Sequence, residues 1–248
     1  MQMYTRRSHV TKKFAIFLIF SILFLSLSPV HALAVTVSGR VIDEDGQGMK
    51  DVNIEVYAFD ETYQVEVYVD SFTTSSDGSF SIALTVGKEY SLRFSKEGYV
   101  KVTKSLSVKI YGTGKVSLGE IVLNKAVKLS STVLSLAANP GDKLLIPFVV
   151  SNIGGETETV EFSVSHPEDW STRILDQASR EIKKTELSSG VSLNLQLEVA
   201  IPLKATRRHT LTLTAASKTN STLDFTIDVE PPSESILFCQ FPGKSVAP

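Results

Sequence analysis

Short runs in which apolar and polar residues alternate recur along most of the chain. They are clear at 52–58, 63–69, 80–84 and 90–94. Such alternation buries one face of a β-sheet and leaves the other in water. Turn residues separate the runs: Asp45-Gly46, Asp77-Gly78, Gly87 and Gly98. Closely spaced strands without helical patterns between them indicate a sandwich or a barrel.

A second series of strand-like runs follows at 144–150, 159–164, 191–201, 209–215 and 222–229. Residues 124–131 are either a linker or the first strand of this series, and 179–187 is either a short helix or a strand. The sequence therefore predicts an all-β chain with two β-sandwiches in tandem, at 35–125 and 126–230.

The N-terminus is typical of a secretory signal. Arg6, Arg7, Lys12 and Lys13 precede an apolar run at 14–27, and Ala32-Leu33-Ala34 provides a cleavage site. We predict a signal helix at 1–34, with the mature protein starting near Val35. The alternative is an uncleaved membrane anchor, but the run is shorter than the ~20 residues that a spanning helix needs.

The ends and the composition exclude several classes of protein. Without the four leader cations the formal charge of −2 becomes −6, which argues against a nucleic-acid-binding protein. A single cysteine, Cys239, excludes a disulfide framework within the chain. Pro231-Pro232 ends the last strand, and the tail at 231–248 is predicted to be disordered.

No catalytic constellation is visible. The chain has no G-x-S-x-G elbow, phosphate-binding loop, H-E-x-x-H or G-x-G-x-x-G. His166 and His209 are the only histidines after the leader, which is too few for a metal site without a nearby carboxylate cluster. We therefore expect no catalytic residues and no cofactor.

Three features are candidates for binding or modification. The acidic turn with Asp43 and Asp45 offers hard oxygen ligands for Ca²⁺, but the complete calcium loop is missing, and a solvated hairpin turn is the simpler interpretation. Outward-facing Tyr57, Phe59 and Tyr68 form either a glycan-stacking platform or an edge or interdomain contact. Asn220-Ser221-Thr222 is an N-glycosylation sequon. A sheet edge can also dock another domain by strand addition.

The first half resembles the carboxypeptidase regulatory-like domain, a transthyretin-like sandwich within the carbohydrate-binding-like fold group. The resemblance covers 36–123 and depends on the order of its pieces, which are Ser38-Gly39-Arg40-Val41-Ile42-Asp43, Gly46, residues 48–54, residues 74–80, Gly87-Lys88-Glu89-Tyr90 and Gly98-Tyr99. Met49 stands where the family commonly has proline, which affects the turn more than the fold.

The second half, 128–229, resembles the NPCBM-associated domain found beside alpha-galactosidase, an Ig-like sandwich. The matching pieces are Asn139-Pro140-Gly141-Asp142, Ser151-Asn152-Ile153-Gly154, His166-Pro167-Glu168-Asp169-Trp170, Ser189-Gly190-Val191 and Ile201-Pro202. We expect Asn152 to cap a turn and Trp170 to seal one end of the sandwich. Arg207-Arg208-His209 departs from the family, which more often has a small turn with glycine there.

Together these features predict an exported, non-catalytic protein of the cell surface or extracellular space that acts as a structural or adhesion module. Its partners would be glycans or other surface proteins, and membrane contact would be limited to the leader or to a further anchor. Two alternatives stay open. One is a carbohydrate-binding accessory protein, which the resemblances suggest by association. The other is the N-terminal part of a larger membrane-anchored surface protein.

Overall fold

The computed structural model describes residues 33–108 and 114–230. Apart from Leu33 and Ala34, the predicted leader lies outside the described residues, as does the predicted tail. The described residues form strands and no helix, so none of them belongs to a helix long and apolar enough to cross a membrane. The strands are β1 (Ala34–Ile42), β2 (Asn53–Asp60), β3 (Val65–Thr73), β4 (Ser79–Thr85), β5 (Lys88–Ser95), β6 (Val102–Val108), β7 (Lys115–Val122), β8 (Val127–Ser130), β9 (Ser135–Ala138), β10 (Lys143–Asn152), β11 (Glu158–Ser165), β12 (Ser171–Leu175), β13 (Lys184–Leu187), β14 (Ser192–Ala200), β15 (Arg207–Ala216) and β16 (Asn220–Val229).

The first sandwich, β1 to β7, places a three-stranded sheet against a four-stranded one. The strand orders are β4-β1-β7 and β3-β2-β5-β6. In the smaller sheet β1 is central, antiparallel to β4 and parallel to β7. The inward residues of both sheets form one hydrophobic core, whose largest fully buried members are Phe94, Ile54, Ile82, Leu92, Ile121 and Leu123.

The second sandwich, β8 to β16, places a four-stranded sheet against a five-stranded one. The strand orders are β12-β14-β10-β8 and β13-β11-β15-β16-β9. The last strand, β16, is antiparallel to β15 and parallel to the early strand β9. Its separate core contains Phe148, Phe225, Ile146, Leu187, Leu195, Leu197 and Trp170.

The predicted all-β fold with tandem sandwiches is confirmed. Of the two alternatives for 179–187, the strand is right, because β13 occupies Lys184–Leu187. Residues 124–131 contain a short strand, β8, which pairs with β10 in the second sandwich.

The prediction of a buried face on the run at 63–69 is wrong. Tyr63 is 76% exposed, and Val65, Val67 and Val69 are 50%, 48% and 50% exposed. The strand exists as β3, at the end of the four-stranded sheet. Because the facing sheet has one strand fewer, it does not cover β3, and the alternation there does not mark a core.

Candidate functional site

The turn between β5 and β6 touches the second sandwich at Gly98. This residue has a φ of +79°, which a side chain disfavours. A Cβ atom here would lie 2.6 Å from Cγ2 of Thr219 and 3.0 Å from Cβ of Lys218, both in the β15–β16 turn. Glycine is therefore required at this position both by its backbone conformation and by the closeness of the second sandwich.

The connection between the sandwiches is hydrogen-bonded on both sides. The Ala126 N–H donates to the Gly98 carbonyl at 2.8 Å, and the Ala126 carbonyl accepts from the Ile153 N–H at 2.8 Å. The Thr219 hydroxyl also donates to the Gly98 carbonyl, at 3.3 Å. These bonds attach the connecting backbone to the first sandwich through Gly98 and to the second through Ile153.

An ionic cluster lies beside this contact, and we call it the Lys218 cluster. The Lys218 ammonium lies 3.2 Å from a carboxylate oxygen of Glu156, 3.7 Å from one of Glu158 and 3.8 Å from one of Glu97. Glu97 belongs to the first sandwich and the other three residues to the second, and Lys101 of the first sandwich lies 3.9 Å from Glu156. The hydrogen bond from Lys218 lowers the pKa of Glu156, and the same bond raises the pKa of Lys218. The cluster thus favours its charged form across the junction.

The acidic turn contributes to the same junction. Glu44 carboxylate oxygens lie 3.7 Å from the Lys125 ammonium and 3.6 Å from the Lys128 ammonium. Oδ1 of Asp43 accepts the N–H groups of Asp45 and Gln47, at 3.0 and 2.8 Å, which closes the turn. In the described part of the chain, no three or more His, Cys, Asp or Glu side chains are placed to hold a metal ion. The calcium site at Asp43 and Asp45 therefore stays a prediction, and no further carboxylate among the described residues is placed to complete it.

A cleft of about 490 Å³ opens between the sandwiches at this junction. Its lining includes Lys96, Lys101 and Glu156 together with the backbone of Gly154-Gly155. The described residues that line it include no histidine and no cysteine. The cleft therefore offers paired charges, and its described lining holds no nucleophile next to an imidazole base.

The outward aromatic residues are only partly free. The Arg93 guanidinium carbon lies 4.0 Å from the Tyr57 ring centroid, and Arg93 also forms an ion pair with Glu66. The Tyr68 ring meets Tyr57 edge-on, with centroids 5.7 Å apart, and is itself 54% exposed. Phe59 lies on the same strand as Tyr57 and pairs across to Glu66. Arg93 thus covers one face of Tyr57, and Tyr68 is the most accessible ring of the set.

In the second sandwich, Asn152 forms the turn cap that its sequence context predicts. Its buried amide donates to the carbonyls of Glu156 and Leu187, at 2.7 and 2.8 Å, and its Oδ1 accepts the Gly154 N–H at 2.9 Å. Trp170 is buried in the core, with its ring centroid 5.0 Å from that of His209. Asn152 therefore caps its turn, and Trp170 is part of the core.

The remaining predicted residues are dispersed. Asn220 is exposed at the start of β16, next to the turn that touches Gly98. Nδ1 of His166 and the Pro167 carbonyl are 2.8 Å apart, and Nε2 of His209 and the Thr206 carbonyl are 3.0 Å apart. The two histidines have different backbone partners, although the His209 ring also packs on Trp170, in the loop that holds His166.

Two buried carboxylates, Glu158 and Glu198, were not predicted from the sequence. Glu158 points inward from β11, on the same face as Val160 and Phe162. A charged residue at an apolar position of the alternation could therefore have been recognised from the sequence. Glu198 lies on the polar phase of β14, where nothing distinguished it. Its carboxylate contacts Lys143 at 2.6 Å and is hydrogen-bonded by Arg173, and these contacts lower its pKa, that from Lys143 most.

Residues 36–120 match the family model of the carboxypeptidase regulatory-like domain. This agrees with the resemblance found in the first half, and such a sandwich fits a non-catalytic module. The match ends before the second sandwich, so the resemblance of 128–229 to the NPCBM-associated domain stays a prediction. Among curated proteins, none matches the chain.

Several solved structures are similar to parts of the chain. For 3-chlorocatechol 1,2-dioxygenase from Rhodococcus opacus the TM-score is 0.30 at 13% identity, over 37% of this chain and 59% of that one. For Salmonella alpha-2-macroglobulin the values are 0.36 and 11%, over 80% of this chain and 16% of that one. For a FixG-related protein from Vibrio parahaemolyticus they are 0.35 and 12%, over 43% of this chain and 98% of that one. This chain thus spans less than two thirds of the first two proteins. With TM-scores below 0.5, these similarities are too low to support a functional conclusion.

Proposed function

We propose that this protein is an exported, non-catalytic module that acts outside the cell as a rigid spacer or adhesion unit made of two sandwiches. The observation that supports this most is the junction at Gly98, where the connecting backbone is hydrogen-bonded on both sides. A free linker lets two domains reorient, whereas a paired linker transmits force and fixes the distance between its ends. A spacer needs this property, and a pair of independent binding domains does not.

The charges beside the junction support the same role. The Lys218 cluster and the contacts of Glu44 with Lys125 and Lys128 lie at separate places along the boundary. Each exposed ion pair contributes little on its own, typically ~0.2–1 kcal/mol. Together they add to the hydrogen bonds that hold the junction.

A matched pair of glycine substitutions tests the spacer role. Gly98 and Gly46 have nearly the same φ, +79° and +78°, so alanine strains the backbone similarly at both. Only at Gly98 does the new Cβ meet the second sandwich, because nothing lies within 4 Å of a Cβ at Gly46. Spin labels at Thr62→Cys and Lys204→Cys, in a Cys239→Ser background, report the distance between the sandwiches by pulsed electron resonance.

We expect one narrow distance distribution for the parent protein and for Gly46→Ala, and a broad or shifted one for Gly98→Ala. A broad distribution in the parent protein would show that the junction does not fix the sandwiches and would refute the spacer role. Export is tested separately: N-terminal sequencing of the protein recovered from outside the cell should begin near Val35, and recovery only in the membrane fraction would contradict cleavage.

A carbohydrate-binding accessory role is the second candidate, and exposed Tyr68 beside Tyr57 is the observation that favours it. Sugar rings stack on aromatic faces that water can reach. On a glycan array we expect Tyr68→Ala to remove any binding, whereas Tyr63→Ala, at an exposed tyrosine outside the predicted aromatic set, should retain it. No binding by the parent protein would remove this candidate.

A further inference from the structure

Strand β3 leaves an apolar face and a backbone edge unpaired in the described residues. It is the end strand of the order β3-β2-β5-β6, and among the described strands only β2 pairs with it. Val65, Val67 and Val69 are each about half exposed. Natural edge strands of this length usually carry lysine or proline, or are covered, because an open edge invites another strand.

The register shows which face the valines occupy. Val67 pairs with Ala58, which is buried, so Val65 and Val67 point to the core side, beyond the limit of the facing sheet. Glu66 pairs with Phe59 and Tyr68 with Tyr57, so these two side chains point to the outer face. The valines therefore lie opposite Glu66 and Tyr68. Asp60, which pairs with Val65, and Asp70, which pairs with buried Val56, lie on the valine side at the two ends of the strand.

All formal charges within the segment 60–73, which contains β3, have one sign. Residues 60–73 contain Asp60, Glu61, Glu66 and Asp70, and no lysine or arginine. Arg93, from β5, reaches one of them, Glu66. A second copy of β3 laid alongside would bring two sets of carboxylates together, which costs free energy in a ladder. The edge therefore disfavours self-pairing and favours a strand with positive charges.

We propose that β3 binds an extended segment of another protein by strand addition, and that this segment alternates apolar and basic residues. A strand laid along β3 directs alternate side chains over the same two faces. Its apolar residues continue the cover over Val65 and Val67, and its basic residues lie beside Glu66. The pairing with β2 makes Val69 an extra residue in β3, because Val56 faces Asp70 while Tyr57 faces Tyr68. The added strand consequently follows the regular segment 65–68.

A synthetic nine-residue peptide of alternating valine and lysine, acetylated and amidated, is the probe, and a peptide with glutamate in place of lysine is its control. Fluorescence anisotropy of the labelled peptides measures binding to the full chain. We expect the lysine peptide to bind at least tenfold more tightly than the glutamate peptide. Hydrogen exchange of the amides at 65–68 should slow when the lysine peptide is added.

Matched lysine substitutions locate the site. Val67→Lys puts a charge on the apolar side of β3 and should weaken binding at least tenfold. Val122→Lys alters a valine of similar exposure, 44%, on β7 at the edge of the other sheet, and should leave binding unchanged. Val65→Lys provides a second β3 variant if circular dichroism shows that Val67→Lys does not fold.

Three results would overturn the proposal: no binding of the lysine peptide, equal binding by the folded β3 variants, or a parent protein that dimerises and becomes monomeric on Val67→Lys. The last result would assign the edge to a second copy of the chain. The proposal does not depend on the spacer role, since Gly98→Ala alters the junction and should leave peptide binding unchanged.

Discussion

The two sandwiches differ in the length and exposure of their edge strands. In the first, four strands face three, and β3 extends past the smaller sheet with three half-exposed valines. In the second, five strands face four, and the edge strands β8, β9, β12 and β13 have only four or five residues each. Short edges give another strand little to pair with. The comparison suggests a division of roles, with the second sandwich as a closed support and the first as the side that presents a surface.

The strongest test of this comparison asks whether the two cores are independent. Phe94→Ala removes a fully buried ring from the first core and should lower stability by about 4 kcal/mol. The only tryptophan, Trp170, lies in the second core, so its fluorescence reports unfolding of the second sandwich, whereas circular dichroism reports both sandwiches. Because the two cores are separate clusters, the substitution should lower the urea midpoint of the first sandwich, seen by dichroism, much more than the midpoint seen by Trp170 fluorescence.

Phe225→Ala is the matched substitution in the second core, and it should shift the Trp170 transition directly. If Phe94→Ala lowered the Trp170 midpoint as much as the dichroism midpoint, the sandwiches would unfold as one unit and the comparison would fail.

A second test compares the buried polar side chain that holds a loop in each sandwich. Asn152→Ala removes three hydrogen bonds to backbone groups of the second sandwich and should cost about 3 kcal/mol. In the first sandwich, the Thr74 hydroxyl accepts from Val52 and donates to Met49, so Thr74→Val, which keeps the shape, should cost about 2 kcal/mol. Urea titrations followed by fluorescence and dichroism measure both losses. Equal and negligible losses would show that neither loop depends on its polar side chain.

The smallest expected effect is the response to acid. The pKa of Glu198 is lowered by Lys143 first and by Arg173, so its ionised form favours the folded state. The stability it contributes is present above the usual value of 4.5 and is lost as pH falls through the lowered value. Glu198→Gln should cost about 1 kcal/mol at neutral pH. It should also make the urea midpoint reported by Trp170 depend less on pH as the pH falls below 4.5.

In the first sandwich, the pKa of Asp77 is lowered by hydrogen bonds from the Ser75 hydroxyl and the Ser79 backbone and hydroxyl. Asp77→Asn is therefore the control: it should leave the acid response reported by Trp170 unchanged. If Glu198→Gln had the same acid response as the parent protein, Glu198 would not contribute to the acid sensitivity of the second sandwich.

Most interior strands could be predicted from the sequence because they have a partner on each side and bury one face, so their residues alternate between apolar and polar. The alternation at 52–58 and 191–201 corresponds to β2 and β14, which lie inside their sheets. Most strands that the pattern missed or left open are edge strands: β6, β8, β9, β12 and β13. An edge strand has one partner and a partly covered face, so its residues need not alternate. The exception is β1, which is central in its sheet and was indicated only by the family resemblance.

The candidate site was harder to predict because it arises between the two halves of the chain. The Asp77-Gly78 turn and the bonds of Asn152 with Gly154 and Glu156 act within a few residues, and local spacing found them. The bond from Asn152 to Leu187 spans 35 residues and was not predicted. Gly98 was recognised only as a bend, since its contact with Thr219 joins positions that are far apart in sequence. The opposite error occurred at 63–69, where a local pattern was correct for a strand and wrong about its burial, because burial depends on the width of the facing sheet.

The parallel pairing of early and late strands has a consequence for biosynthesis. In the first sandwich the central strand β1 can pair with β7 only after β7 has been synthesised, and in the second β9 can pair with β16 only after β16 has been synthesised. Neither sandwich can close while the ribosome is still making its last strand, because contacts between distant parts of the chain form late. A nascent chain stopped before β7 would keep one side of β1 open, so each unit becomes resistant to proteases in a single step when its final strand is released.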